Sequence, residues 1–186
     1  LAALALPVLA RAQRGTAAEW RTYGGDPGHT RYSSLDQIDA SNAATLEVAW
    51  RWSARNQGPN PLAASQTTPI FVNGVLYATA GTRRNVVAID PGTGETLWTY
   101  RFGESERLAS APRVNSGRGV SYWTDGRGDD RLYVVTPGYH LIALHAATGR
   151  PVEAFGQGGV VDLQQNLRTR DGVPVAGSIG ASSPAA

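Results

Sequence analysis

The chain has 186 residues, a formal net charge of +2, and 17 basic residues that are all arginine, with no cysteine and no methionine. Without cysteine there is no disulfide, thiol nucleophile or thiolate metal site, and without lysine no Schiff-base chemistry. The arginines are scattered rather than massed, which argues against a nucleic-acid partner, while 22 glycines, 11 prolines and only 17% charged residues fit a turn-rich, all-β protein.

Residues 1–12 read as the remnant of a secretory signal. Leu1–Ala10 is apolar, Ala10-Arg11-Ala12 fits the small-x-small cleavage rule, and Gln13 opens the mature chain. The end of a longer transmembrane anchor and a truncated core segment are the two other readings of this stretch. Residues 13–186 read as the N-terminal part of a larger domain: the chain lacks an initiator and stops at Ser182–Ala186, where a strand is due.

After a loose stretch over 13–19, Trp20–Ser33 places aromatic anchors around a glycine-rich turn, a pattern that predicts a packed loop. A helical turn is expected within Ile38–Leu46, capped by Asp39 or Ser41. Leu46–Trp52 alternates apolar and polar residues and predicts a strand. A polar loop covers 55–66. Thr68–Val72 and Val75–Ala80 form a hairpin through Asn73-Gly74, because both turn residues tolerate positive φ. Val86–Ile89 and Thr96–Phe102 complete four strands. A second unit follows an irregular stretch over 103–119, with strands predicted at Val120–Trp123, Arg131–Thr136 and His140–Leu144. A long loop is expected over Gly156–Ala181.

One segment occurs twice. Val87–Trp98 recurs 55 residues later as Ile142–Glu153, each copy a buried strand, a turn ending in Thr-Gly, and an exit. A repeat of this length carrying paired strands marks a β-propeller. Two to three blades are visible, fewer than the roughly four that close a ring. The Thr-Gly turns are scaffold. His29, His140 and His145 have no metal-ligand spacing, and Asp125, Asp129 and Asp130 read as a solvated turn rather than a calcium loop. Gly24–Gly28 is not a phosphate loop, and no Gly-x-Ser-x-Gly elbow is present.

Several motifs in order carry a family resemblance. Trp20–Gly25, Thr30–Leu35, Gln37-Ile38 and Leu46–Trp50 resemble the opening of the pyrroloquinoline quinone (PQQ) dependent dehydrogenases. Thr68-Pro69-Ile70, Leu76-Tyr77, Val87–Asp90, Thr93-Gly94 and Trp98 resemble that family's first full blade. Arg118-Gly119-Val120 resembles its Arg-Gly-Val segment, and Leu141–Leu144, Ala147–Pro151 and Phe155–Leu163 look closest to its glucose-dehydrogenase branch. The resemblance implies an eight-bladed propeller of which this chain holds the first two to three blades. It implies PQQ near the axis with calcium against it, and hydride transfer from a sugar or alcohol hydroxyl to the quinone. It also implies electron transfer to a membrane quinone or a cytochrome, and a periplasmic location, soluble or membrane-associated. Three cofactor-binding positions carry over: Arg118 on the PQQ carboxylates and quinone oxygens, Gln66 where many members place a glutamate, and Ser182 near a PQQ-bonding threonine. The calcium ligands and the aspartate base are expected beyond residue 186, so no residue here is assigned as catalytic or metal-binding. The rival reading is a cofactor-free propeller serving as an assembly scaffold. The aromatic-glycine opening and the Arg-Gly-Val segment, which that reading does not need, weigh against it. Gln66 and the absence of the paired cysteines found in the alcohol-dehydrogenase branch weigh for it.

Overall fold

The computed structural model describes residues 19–58, 65–104, 106–173, 175 and 177–185. The signal segment expected over 1–12 lies outside the described residues. The chain forms two four-stranded antiparallel meanders. The first orders β1 (Ile70–Val72), β2 (Val75–Ala80), β3 (Asn85–Ile89) and β4 (Thr96–Tyr100); the second orders β5 (Ser121–Thr124), β6 (Asp130–Val135), β7 (His140–His145) and β8 (Val160–Asp162). Each is one blade of the expected all-β propeller.

Local sequence accounts for most of this. Asn73, with φ 50°, and Gly74, with φ 79°, make the β1–β2 turn that sets Val72 opposite Val75. Every residue of β3 is buried, because both faces of the first blade are covered. On one face Ile70, Val72, Tyr77, Val86 and Ala88 pack against Leu132, Val134, Ile142 and Leu144 of the second blade. On the other, Ala78, Ala80, Val87 and Ile89 lie under Trp50, Trp52 and Leu76. Each fully buried Val, Ile or Leu contributes about 1.5–3 kcal/mol, so this central strand anchors the pair of blades.

The two copies of the repeat superimpose in their hydrogen bonds. The amide of Gly94 donates to the Asp90 carbonyl at 2.9 Å, and that of Gly149 donates to the His145 carbonyl at 2.8 Å. Asp90 adds side-chain acceptance from the Gly92 and Thr93 amides, both at 2.8 Å. His145 holds the same turn by its backbone. Asp125 likewise accepts from the amides of Arg127 and Asp129, which is the turn role expected of it.

Four expectations need correction. Leu46–Trp52 forms no strand: among the described residues no neighbouring strand pairs with it. Its alternation reflects two indoles turned onto the first blade while Leu46 and Val48 stay exposed. The helical turn is a 3-10 helix over Ala43–Thr45 preceded by Asn42; Asp39 accepts from the Ser41 amide and hydroxyl instead of capping it. The fourth strand of the second blade begins at Val160, inside the expected long loop. Pro151 still bridges Leu144, and the Val152 amide donates to the Ala143 carbonyl at 2.9 Å; the chain then leaves the sheet and returns at Gly159, whose carbonyl accepts the Ala143 amide at 2.9 Å. Short helical turns also occupy Ala54–Asn56 and Arg107–Ser110, within stretches read as loops.

Candidate functional site

The segments entering β1 and β5 run side by side. The Thr68 amide donates to the Arg118 carbonyl at 3.1 Å, and the Arg118 amide donates to the Ser182 carbonyl at 2.8 Å. The Gln66 amide donates to the hydroxyl of the buried Ser116 at 3.0 Å. Gly119 follows Arg118 with φ 123°, and a Cβ there would stand 2.6 Å from the Thr68 carbonyl oxygen. The glycine of the Arg-Gly pair is therefore required by the close approach of two backbones. Arg118 and Ser182 are thus joined through their main chains, and Gln66 is drawn in by its bond to the Ser116 hydroxyl, from three distant parts of the sequence.

Their side chains differ in setting. The Arg118 guanidinium is exposed and has no hydrogen bond or ion pair among the described residues. It lines a cavity of about 540 Å³ together with Arg21, Tyr23, His29, Tyr122 and Ser183. Arg21 is paired with Glu19, and its guanidinium lies 5.5 Å above the Tyr122 ring. The opening loop reaches this cavity because Trp20 and Phe71 exchange both backbone hydrogen bonds, at 2.9 Å each, which ties the loop to the edge of β1. The Ser182 hydroxyl is shielded from solvent and has no partner among the described residues. The Gln66 side chain is exposed and does not line the cavity.

Sequence reasoning missed Arg84. It is 4% exposed on the β2–β3 turn, and burial pushes its guanidinium down to about 10, so it stays charged at neutral pH. It donates to the Val135 and Arg113 carbonyls, both at 2.9 Å, and to the Asn115 carbonyl and side-chain oxygen, both at 3.2 Å. Nothing in the local pattern Arg83-Arg84 separates a buried arginine from a solvated one.

A second polar group, away from this cavity, ties the connection between the blades to the second blade. Arg107 makes a two-pronged bond to Asp162, at 2.7 and 2.6 Å, and its guanidinium also lies 3.2 Å from His140 Nε2. The Arg107 fork holds the Asp162 carboxyl down at about 2. Glu104, with its side chain wholly buried, accepts from the Gly138 amide at 3.0 Å and stands 3.5 Å from His140 Nδ1. Among the described residues no group of three or more histidines, cysteines or carboxylates converges to hold a metal.

A model of the PQQ family, described as the β-propeller domain of glucose/ethanol/alcohol dehydrogenases, matches residues 20–186. The chain is 33% identical to the glycerol dehydrogenase large subunit of Gluconobacter oxydans, over 96% of its own length and 25% of that protein. It is 34% identical to the quinohemoprotein alcohol dehydrogenase of Comamonas testosteroni, over 92% of its length and 23% of that protein. The crystal structure of that alcohol dehydrogenase superimposes with a TM-score of 0.64 at 31% identity, covering 86% of this chain and 21% of that one. A europium-containing methanol dehydrogenase superimposes with a TM-score of 0.57 at 26% identity, covering 71% and 22%. The chain belongs to the PQQ-dependent dehydrogenase β-propeller family. It spans about a quarter of the length of the curated relatives it matches.

Proposed function

We propose that these two blades are the opening of a longer, exported propeller that oxidises an alcohol, polyol or sugar hydroxyl with PQQ. The observation that carries this is the setting of Arg118 and Ser182. Among the described residues, an arginine without an internal partner stands beside a cavity, and a shielded hydroxyl without a hydrogen bond lies on the adjoining segment. A buried hydroxyl left unpaired costs about 1–3 kcal/mol, so a ligand atom that bonds it is strongly favoured. A planar cofactor rich in carboxylates and carbonyls fits that donor set: the guanidinium fork pairs with carboxylate, and the hydroxyl and the Gln66 amide can donate to carbonyl oxygen.

In this reading Arg118, Ser182 and Gln66 hold one edge of PQQ. PQQ, when bound with a divalent or trivalent metal ion, supplies the hydride acceptor for a carbinol. This chain's part is to orient the cofactor and to neutralise its charge. The metal's ligands and the proton acceptor belong to other parts of the intact protein. Electrons pass on to a membrane quinone or a cytochrome, and the protein works in the periplasm. The relatives' glycerol, alcohol, methanol and glucose substrates support a hydroxyl-bearing substrate.

The test uses the intact protein, exported and stripped with chelator. Dye reduction is followed on glycerol, ethanol, methanol and glucose, with and without PQQ, and with calcium or a lanthanide. Turnover that needs both PQQ and a metal supports the proposal and names the substrate class. No turnover, together with no rise in Tm on adding PQQ, would overturn it in favour of a cofactor-free scaffold.

A further inference from the structure

We infer that Arg84 is a positioning residue for the cofactor edge, fixing the loop that presents Arg118. The inference rests on the reading of Arg118 given above. Arg84 adopts φ 54°, a left-handed conformation that is uncommon for a residue with a side chain. From there its fork reaches across to the second blade. Two of its acceptors, the carbonyls of Arg113 and Asn115, belong to the loop just before Arg118, and a third, that of Val135, ends β6. The Asn115 side-chain oxygen relays the contact: it accepts from Arg84 at 3.2 Å and from the Gly117 amide at 2.9 Å. Gly117 lies against the Arg84 stem, where a Cβ would stand 3.0 Å from Cδ. One residue further, Ser116 and Arg118 hold the backbones of Gln66, Thr68 and Ser182.

The choice of arginine bears on this role. All its acceptors are neutral oxygens, so the buried charge carries a desolvation cost that no carboxylate offsets by direct contact. What an apolar residue cannot do is orient several carbonyls at once from one rigid fork. The loop carbonyls are turned inward onto Arg84. The guanidinium of Arg118 is left facing the cavity.

The test measures PQQ affinity by tryptophan-fluorescence titration of the intact apoprotein, alongside its Tm. The variants are Arg84→Met, Arg84→Lys, Asn115→Ala, Arg118→Ala and, as a purely packing control, Val134→Ala. Arg84→Met is expected to weaken PQQ binding about tenfold or more, and Arg84→Lys and Asn115→Ala by about threefold, on the scale where each factor of ten is 1.4 kcal/mol. Val134→Ala is expected to lower Tm while leaving PQQ affinity unchanged. If Arg118→Ala weakens binding but the Arg84 and Asn115 variants do no more than the packing control, the positioning role is wrong and the cofactor reading stands. If Arg118→Ala binds PQQ as the parent does, the cofactor reading itself fails and takes this inference with it. Should Arg84→Met not fold, Arg84→Lys and Asn115→Ala decide the matter on the same criteria.

Discussion

The indole of Trp98, on the last strand of the first blade, lies flat against Gly149 in the turn of the second. A Cβ on that glycine would overlap the ring, and the indole N–H donates to the Ala146 carbonyl at 3.2 Å. Trp50 stands in the same relation to Gly94, where a Cβ would come within 2.7 Å of the ring, and donates to Pro91 at 2.9 Å. The Thr-Gly turn is thus the receiving surface for the preceding tryptophan, and its glycine leaves room for the ring.

That geometry makes Gly149 far more sensitive than an ordinary turn glycine. Gly149→Ala is expected to cost about 3 kcal/mol or more, because overlap with the indole adds to backbone strain. Gly74→Ala, at a similar positive φ but with open space around it, should cost about 1 kcal/mol. Thermal melts of the two variants in the intact protein check this; equal losses would refute the docking role of Gly149. Trp98→Phe, which removes the N–H and part of the ring, should fall between them.

Acid should loosen the tie between the inter-blade connection and the second blade. Asp162 titrates near 2 in the fold, held there by Arg107, against its ordinary 3.8. A carboxyl depressed in this way stabilises the fold fully above about pH 4 and loses that contribution as pH falls towards 2. The pair is about one-third exposed, so its worth is about 1 kcal/mol rather than the full shift. Tm measured from pH 7 to pH 2 should fall more steeply below pH 4 in the parent than in Asp162→Asn, which should start lower. Parallel curves would show that the ion pair contributes nothing.

The Ser182 hydroxyl offers a contrast between stability and binding. Because it has no partner among the described residues, Ser182→Ala should raise the apoprotein's Tm. PQQ affinity should nevertheless drop by about fivefold, the worth of one ordinary hydrogen bond. Unaltered affinity would remove Ser182 from the cofactor's contacts.

Gly119→Ala tests the paired entry segments. The added methyl would push on the Thr68 carbonyl and part the Thr68–Arg118 hydrogen bond. Loss of about 2–3 kcal/mol is expected, with PQQ binding weakened more than Gly74→Ala weakens it. Equal affinities for the two variants would show that this register does not shape the site.

Much of the fold was legible because its signals are local. Asn73-Gly74 and the two Thr-Gly turns act through a few dihedrals each, and β2 falls where its pattern placed it. The strand ends and the β8 excursion were not legible. Where the chain rejoins the sheet depends on the Gly159–Ala143 hydrogen bond, a contact between separate segments. Leu46–Trp52 carried a true period of two, read as a paired strand; burial of Trp50 and Trp52 on a sheet face produces the same alternation.

The amino-acid order by itself determined the all-β class, the blade repeat and the family motifs, including Arg118-Gly119-Val120, since these rest on residue identity and short-range geometry. Only the tertiary structure decided that Gln66, Arg118 and Ser182 meet at one junction, that Arg84 is buried beneath it, and that Arg118 is left without a partner among the described residues. Those outcomes depend on how two blades pack across long loops. Desolvation and hydrogen-bond direction are properties of that packing, and no stretch of sequence carries them alone.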